Sequence, residues 1–334
     1  MMNTQATPLS LKPKWQIELA NGIKNVTQLL RVLELPDHSV NTNSHNPFPL
    51  KVPHSYVKKI RKSDPNDPLL LQILPTQLEL NPTPGFTNDP VGDKQYEQVP
   101  GLIHKYHGRV LLVTTSVCSL HCRYCFRRHF PYSQSNPSKA DWQQALAYIA
   151  NTPSIHEVIL SGGDPLSLSD SKLAELTQKL NAIPHLKYLR IHTRFPVILP
   201  ERIDLQLLHW IKNTRLKVSM VIHANHPNEI NDEVRYATLK LKQAAVELFN
   251  QTVLLKKIND DAQTLITLSH RLYECGILPY YIHSLDKVAG AAHFEVDLTR
   301  SKKILKQVRA ALPGYLVPQL VKEEIGVGYK TPIF

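Results

Sequence analysis

Read for hydrophobic periodicity, the chain changes character near residue 100. Beyond it, short β-rich runs recur at 109–115 (RVLLVTT), 157–161 (EVILS), 188–193 (YLRIHT), 217–223 (KVSMVIH), 247–255 (ELFNQTVLL), 278–283 (LPYYIH) and 316–321 (LVPQLV). Between them lie helical patterns near 138–150, 168–182, 201–213, 228–246, 261–275 and 298–311. Strand–helix–strand spacing of roughly 30 residues predicts βαβ units and a parallel sheet. Six or seven units in about 220 residues suit a barrel, complete or partial, better than an open Rossmann sheet. Barrel chemistry gathers at the carboxyl ends of strands, so the polar residues after each run are the candidates.

The first 100 residues read differently. Thirteen of the 25 prolines fall there. One amphipathic helix is predicted from Trp15 to Leu35, a helical piece near 54–62, and an apolar stretch from Leu69 to Leu74. Residues 36–55 and 81–100 are turn-rich, broken by Asn-Pro, Asp-Pro and Pro-Gly pairs. This predicts an extension wrapped on the barrel and not a free-standing domain.

Composition narrows the class. Of 334 residues, 42% are hydrophobic and 20% charged, which predicts a folded core. No stretch approaches 18 uninterrupted apolar residues, so no membrane span is expected. The opening MMNTQATPLSLKPKW lacks the apolar segment of a secretory signal. Four cysteines do not make a disulfide scaffold, and a cytoplasmic setting is expected. The net charge of +11 comes in short runs, Lys58–Lys62, Arg127-Arg128 and Lys256-Lys257, with no nucleic-acid recognition signature. They read as solvated basic faces, with attraction to an acidic substrate or protein as the sharper reading.

The chemistry concentrates after the first run, at Cys118-Ser-Leu-His-Cys122-Arg-Tyr-Cys125, spaced C-x3-C-x2-C. Three thiolates on one loop can bind three corners of an iron–sulfur cluster and leave one iron open. Zinc is the rival, with His121 or His129 as a fourth ligand. Cys275, late in a predicted helix, reads as a core thiol. Ser161-Gly162-Gly163-Asp164 ends the second run, where it is either a plain turn or a place for a ligand to approach the backbone. Lys330 is either a solvated lysine near the terminus or an amine able to condense with an aldehyde cofactor.

The triplet, followed by Phe126-Arg127-Arg128, resembles the radical S-adenosylmethionine superfamily. Lys105-Tyr-His-Gly-Arg109, Ser161-Gly-Gly-Asp-Pro165, His223-Ala-Asn-His-Pro227, Asn250-Gln-Thr-Val-Leu-Leu255, Pro279-Tyr-Tyr-Ile282 and Lys330-Thr-Pro332 are similar to the lysine 2,3-aminomutase family, in its order. Val52-Pro53, Asp67-Pro68-Leu69-Leu70, Pro84-Gly85-Phe86, Arg127–Tyr132, Leu285-Asp286-Lys287 and Gly290–Phe294 resemble its short branch devoted to elongation factor P.

The resemblance implies an α/β fold, a partial (β/α)6-type TIM barrel with an N-terminal, mostly helical wrapping extension. It divides the chain into an extension (1–100), a barrel (101–315) and a C-terminal lysine segment (316–334). It implies a [4Fe-4S] cluster on Cys118, Cys122 and Cys125, with S-adenosylmethionine held by Gly162, Gly163, Asp164, His223 and Gln251. Pyridoxal 5′-phosphate falls to Lys330, Lys105, Tyr106 and Arg109, and the lysine substrate to Arg127, Asp286 and Glu323. The implied reaction converts L-α-lysine to β-lysine, the R enantiomer, which a separate ligase attaches to elongation factor P. Arginine or another amino acid is the alternative substrate. An external electron donor is needed, and neither membrane nor nucleic acid is a partner.

Three positions depart from the family. Glu323 stands where lysine-specific relatives have aspartate, moving the carboxylate by about 1.5 Å, one carbon–carbon bond. Gly326-Val-Gly-Tyr precedes Lys330 in place of a glycine-rich run. Asp261 stands where some long members have a zinc-binding cysteine, so no structural zinc is expected.

Overall fold

The computed structural model describes residues 12–36, 42, 47–132 and 139–334. The opening stretch through Leu11, and parts of the turn-rich 36–55 and of the helical pattern 138–150, lie outside them.

Four short helices come first: α1 (Lys14–Ala20), α2 (Val26–Val32), α3 (His54–Val57) and α4 (Pro68–Leu71). The single helix predicted over 15–35 is therefore two. Ile23 leaves the helix to exchange backbone hydrogen bonds with Val52, at 2.7 and 3.0 Å. Asn25 then restarts it, its side-chain oxygen accepting from the Gln28 N–H. The apolar faces of α2, α3 and α4 make a cluster of their own, joined by Leu120 and Ile198. Trp15 of α1 instead packs edge-on against Phe195, with Arg202 stacked over its ring at 4.4 Å.

Next come β1 (Glu97–Val99), β2 (Leu102–Tyr106) and β3 (Arg109–Thr115), paired antiparallel in turn. The chain then alternates through α5 (Lys139–Ala150), β4 (Glu157–Gly162), α6 (Asp170–Asn181) and β5 (Tyr188–Thr193). It continues through α7 (Phe195–Ile198), α8 (Leu205–Lys212), β6 (Lys217–His223), α9 (Asp232–Gln243) and β7 (Glu247–Val253). Last are α10 (Ala262–Glu274), β8 (Leu278–His283), α11 (Leu298–Ala311), β9 (Gln319–Lys322) and a short β10 (Thr331–Pro332). Ser169, Asp204, Asn231, Asp261 and Asp297 cap α6, α8, α9, α10 and α11, which is why those helices begin where they do. Asp261 thus serves α10.

β3 through β9 are parallel and adjacent in chain order, with the antiparallel β1 and β10 at the two edges. The sheet does not close, so the architecture is a partial barrel. Its two faces differ. Val110, Leu112, Val158, Leu160, Leu189 and Ile191 point outward into the main apolar core under the helices. The alternate positions, among them Arg109, Ser161, Arg190 and His192, point to the inner face of the sheet and include most of its polar residues. Cys275 lies in the outer core, 8% exposed.

The basic runs are less solvated than expected. Lys59 donates to the carbonyls of Val197 and Glu229, and burial holds its amine down to about 8. Arg127 is buried and the Arg128 side chain nearly so, each against a carboxylate. Among the described residues no helix is long and apolar enough to cross a membrane.

Candidate functional site

Cys118, Cys122 and Cys125 sit on the loop that leaves β3, and all are free thiols. The extension shapes this loop by backbone pairing: His121 N–H donates to Lys51 O, and Arg123 N–H to Gln72 O. Burial raises the Cys118 thiol well above its ordinary value, with Cys125, Asp164 and Cys122 adding to the effect. Burial and Cys122 raise Cys125 to about 11. A cationic group bound at this loop would take the place of the thiol protons. Among the described residues no three His, Cys, Asp or Glu side chains stand close enough to share one metal ion. Three free thiols on one loop are, by the chemistry of the donor set, what three corners of an iron–sulfur cluster would take.

Two buried arginines on the loop are pinned by one carboxylate of the extension. Arg123 makes a forked pair with Glu79, at 2.9 and 2.6 Å, and Arg128 donates to the same group at 2.7 Å. Both guanidinium groups also stack on Phe48.

The two glycines at the end of β4 serve a purpose that the sequence did not reveal. Gly162 has φ +116°, and a Cβ there would come within 2.7 Å of Thr115 O. At Gly163 a Cβ would meet Val117 O at 2.5 Å. The Gly163 and Asp164 N–H groups donate to Thr115 O and Val117 O. The segment is thus locked against the cysteine loop, and those two N–H groups are not open to a ligand. Asp164 is buried as well, accepting from Thr193 Oγ1 and from the backbone N–H groups of Arg194 and Leu166. Burial raises its carboxyl to about 6. His223 and Gln251 are register neighbours at the ends of β6 and β7. Burial, helped by Arg194, lowers His223 to about 3, so it is a neutral imidazole.

Between β2, β3 and the β9–β10 hairpin a second group converges. Lys105 and Tyr106 end β2, Arg109 opens β3 across the tight turn, and Glu323 and Lys330 close the hairpin between β9 and β10. Glu323 accepts from Lys105 at 2.7 Å, from Lys330 at 2.9 Å and from the Tyr106 hydroxyl. Burial alone would raise Glu323, but Lys330, Lys105 and Tyr106 hold it at about 2. Arg109 stacks over the Tyr106 ring at 4.6 Å. Asp286 is half-buried beside them, and desolvation raises it to about 7 despite Lys330. Lys330 is therefore no freely solvated lysine. Lys105, Tyr106 and Arg109 lie at the amino end of β3, so the candidate residues run down the inside of the sheet, beyond the carboxyl ends where they were expected.

Arg127 bridges the two groups. Its Nε donates to Asp93 at 2.8 Å and its Nη1 to Ser161 at 3.0 Å. Asp93, Glu79 and Arg194 were missed by the sequence reading. Only Arg194 carried a signal, as a polar residue just past a strand end.

The matching family model is that of the radical SAM superfamily, over residues 112–268. An L-lysine 2,3-aminomutase of Escherichia coli strain K12 is 44% identical, over 96% of this chain and 94% of that protein. One from Haemophilus influenzae is 46% identical, over 95% and 94%. One from Clostridium subterminale is 36% identical, over 96% of this chain and 77% of that protein. The sheet and the cysteine loop thus define a radical SAM enzyme, for which a [4Fe-4S] cluster and S-adenosylmethionine are the expected cofactors. The chain belongs to the lysine 2,3-aminomutase family, whose members are isomerases.

Proposed function

We propose that this enzyme converts L-α-lysine to (R)-β-lysine with pyridoxal 5′-phosphate bound at Lys330, and that the product modifies elongation factor P. The observation that carries the reading is the gathering of Lys330, Lys105 and Tyr106 on Glu323 beside the half-buried Asp286. Lys105, Lys330 and Arg109 are three cations against the two carboxylates of Glu323 and Asp286, an excess that suits a phosphate dianion. When bound, S-adenosylmethionine at the cluster supplies the hydrogen-abstracting radical and pyridoxal phosphate lets the nitrogen migrate.

The chain's share is placement. Cys118, Cys122 and Cys125 hold the cluster, and the strand ends at Gly162–Asp164, His223 and Gln251 surround S-adenosylmethionine. Asp164 acts there by fixing the loop. Arg127, steadied by Asp93 and Ser161, takes the substrate carboxylate. Asp286 takes the side-chain ammonium, while Glu323 is already engaged and serves first to hold Lys105 and Lys330. The R enantiomer and the link to elongation factor P are supported by resemblance to the short branch.

The test is an anaerobic incubation of reconstituted enzyme with lysine, pyridoxal phosphate, S-adenosylmethionine and a one-electron reductant. β-Lysine should form, resolve as the R enantiomer by chiral chromatography, and vanish in Cys122→Ala and Lys330→Ala. Turnover of arginine alone would overturn the substrate. Undiminished turnover in Lys330→Ala would overturn the role of that residue. Loss of the gene should leave elongation factor P in its host without the β-lysyl group, as read by mass.

A further inference from the structure

We propose that Arg194 tunes the iron–sulfur centre, presenting a charge-assisted hydrogen bond to the Cys122 sulfur that favours the reduced cluster. The inference rests on the reading of the cysteine triplet as cluster ligands. Arg194 directly follows β5, and its Nη1 lies 2.9 Å from Cys122 Sγ and 2.8 Å from the Tyr124 hydroxyl. Its other nitrogens are engaged: Nε donates to His223 O at 3.2 Å and Nη2 to Glu229 Oε1 at 2.5 Å.

Glu229 cannot swing away. It is fully buried and also accepts from the Tyr56 hydroxyl and from the N–H groups of Asn225 and His226. Gln72 of the extension closes the remaining side at 3.4 Å. The cation is thus fixed against one thiol of the three. Cluster reduction adds one electron, whose charge spreads onto the sulfurs. A fixed donor and positive charge beside a sulfur stabilises that state, more strongly where water is excluded. Replacing Arg194 with a neutral side chain should therefore make the cluster harder to reduce.

The experiment is a reductive titration of the anaerobically reconstituted enzyme, followed by electron paramagnetic resonance, in wild type, Arg194→Lys and Arg194→Gln. Arg194→Gln should lower the equilibrium constant for reduction at least tenfold, 59 mV for one electron. Arg194→Lys, keeping charge but losing the fork, should fall between. A structural role alone would lower iron content and leave the potential of the clusters that form unmoved. An unchanged potential in iron-replete Arg194→Gln overturns the proposal. Wild-type enzyme labelled with 15N in its arginine guanidinium groups gives a check that needs no variant. Pulsed resonance of its reduced cluster should show a 15N coupling, and its absence overturns the proposal even if the variants do not fold. Failure of wild type to bind about four irons per chain would instead overturn the cluster reading itself.

Discussion

Glu323 and Lys330 face each other across the base of the hairpin between β9 and β10, with 2.9 Å between Oε2 and Nζ. The same carboxylate holds Lys105, whose side chain is only 6% exposed. Removing the negative charge leaves a buried ammonium unpaired, which costs about 3 kcal/mol or more. Glu323→Gln should lower the unfolding free energy of the cofactor-free protein by about that amount, measured in urea. Glu323→Asp, which keeps the charge, should lose less.

Asp286 gives a pH dependence of definite sign. Its carboxyl titrates at about 7 in the free site, raised by burial. A substrate ammonium binds the ionised form, so below pH 7 binding must expel a proton. The KM for lysine should fall as pH rises, nearing tenfold per unit well below 7 and levelling off above it. Asp286→Asn should weaken binding and flatten the profile.

The same residue affects the stability of the cofactor-free protein. A carboxyl whose folded value is raised binds its proton more tightly when folded. It therefore favours folding below the unfolded value of about 4, and this advantage is lost as pH rises through 7. Relative to wild type, Asp286→Asn should melt higher at pH 8 than at pH 4. Calorimetry at the two pH values decides it, and a difference independent of pH would contradict the burial argument.

Gly163→Ala tests the lock between β4 and the cysteine loop. The added methyl would meet Val117 O at 2.5 Å, against backbone that cannot move alone. We expect about 1–3 kcal/mol of destabilisation and iron incorporation well below that of wild type, by metal analysis after reconstitution.

Glu79→Ala removes the acid shared by Arg123 and Arg128. Leaving two buried guanidinium groups uncompensated should cost about 3 kcal/mol or more, and slow cluster reconstitution. Normal stability with normal iron loading would show that the pairs are dispensable.

Much of this was legible because each strand alternates. Outward apolar residues such as Val218, Met220 and Ile222 are separated by inward ones such as Ser219 and His223, so the runs stood out and lay close to the observed strands. The helix over 15–35 misled because an apolar period continues through Ile23, whose partner Val52 is distant in sequence. Pro318 delayed the last run, which begins at Gln319. The cysteine triplet and Lys330 were visible as motifs. Glu79 and Asp93 were not, since they lie in turn-rich stretches and their meaning comes only from the arginines that fold against them.

Those two acids change what the first hundred residues are. Glu79 pairs with both Arg123 and Arg128, and Asp93 with Arg127, all three arginines lying beyond residue 100. A barrel cut free at residue 100 would carry three stranded positive charges around its most delicate loop. Two carboxylates of the segment thus hold the loop's arginines in place, and a graft that exchanges one part between homologues must carry the matching ions of the other.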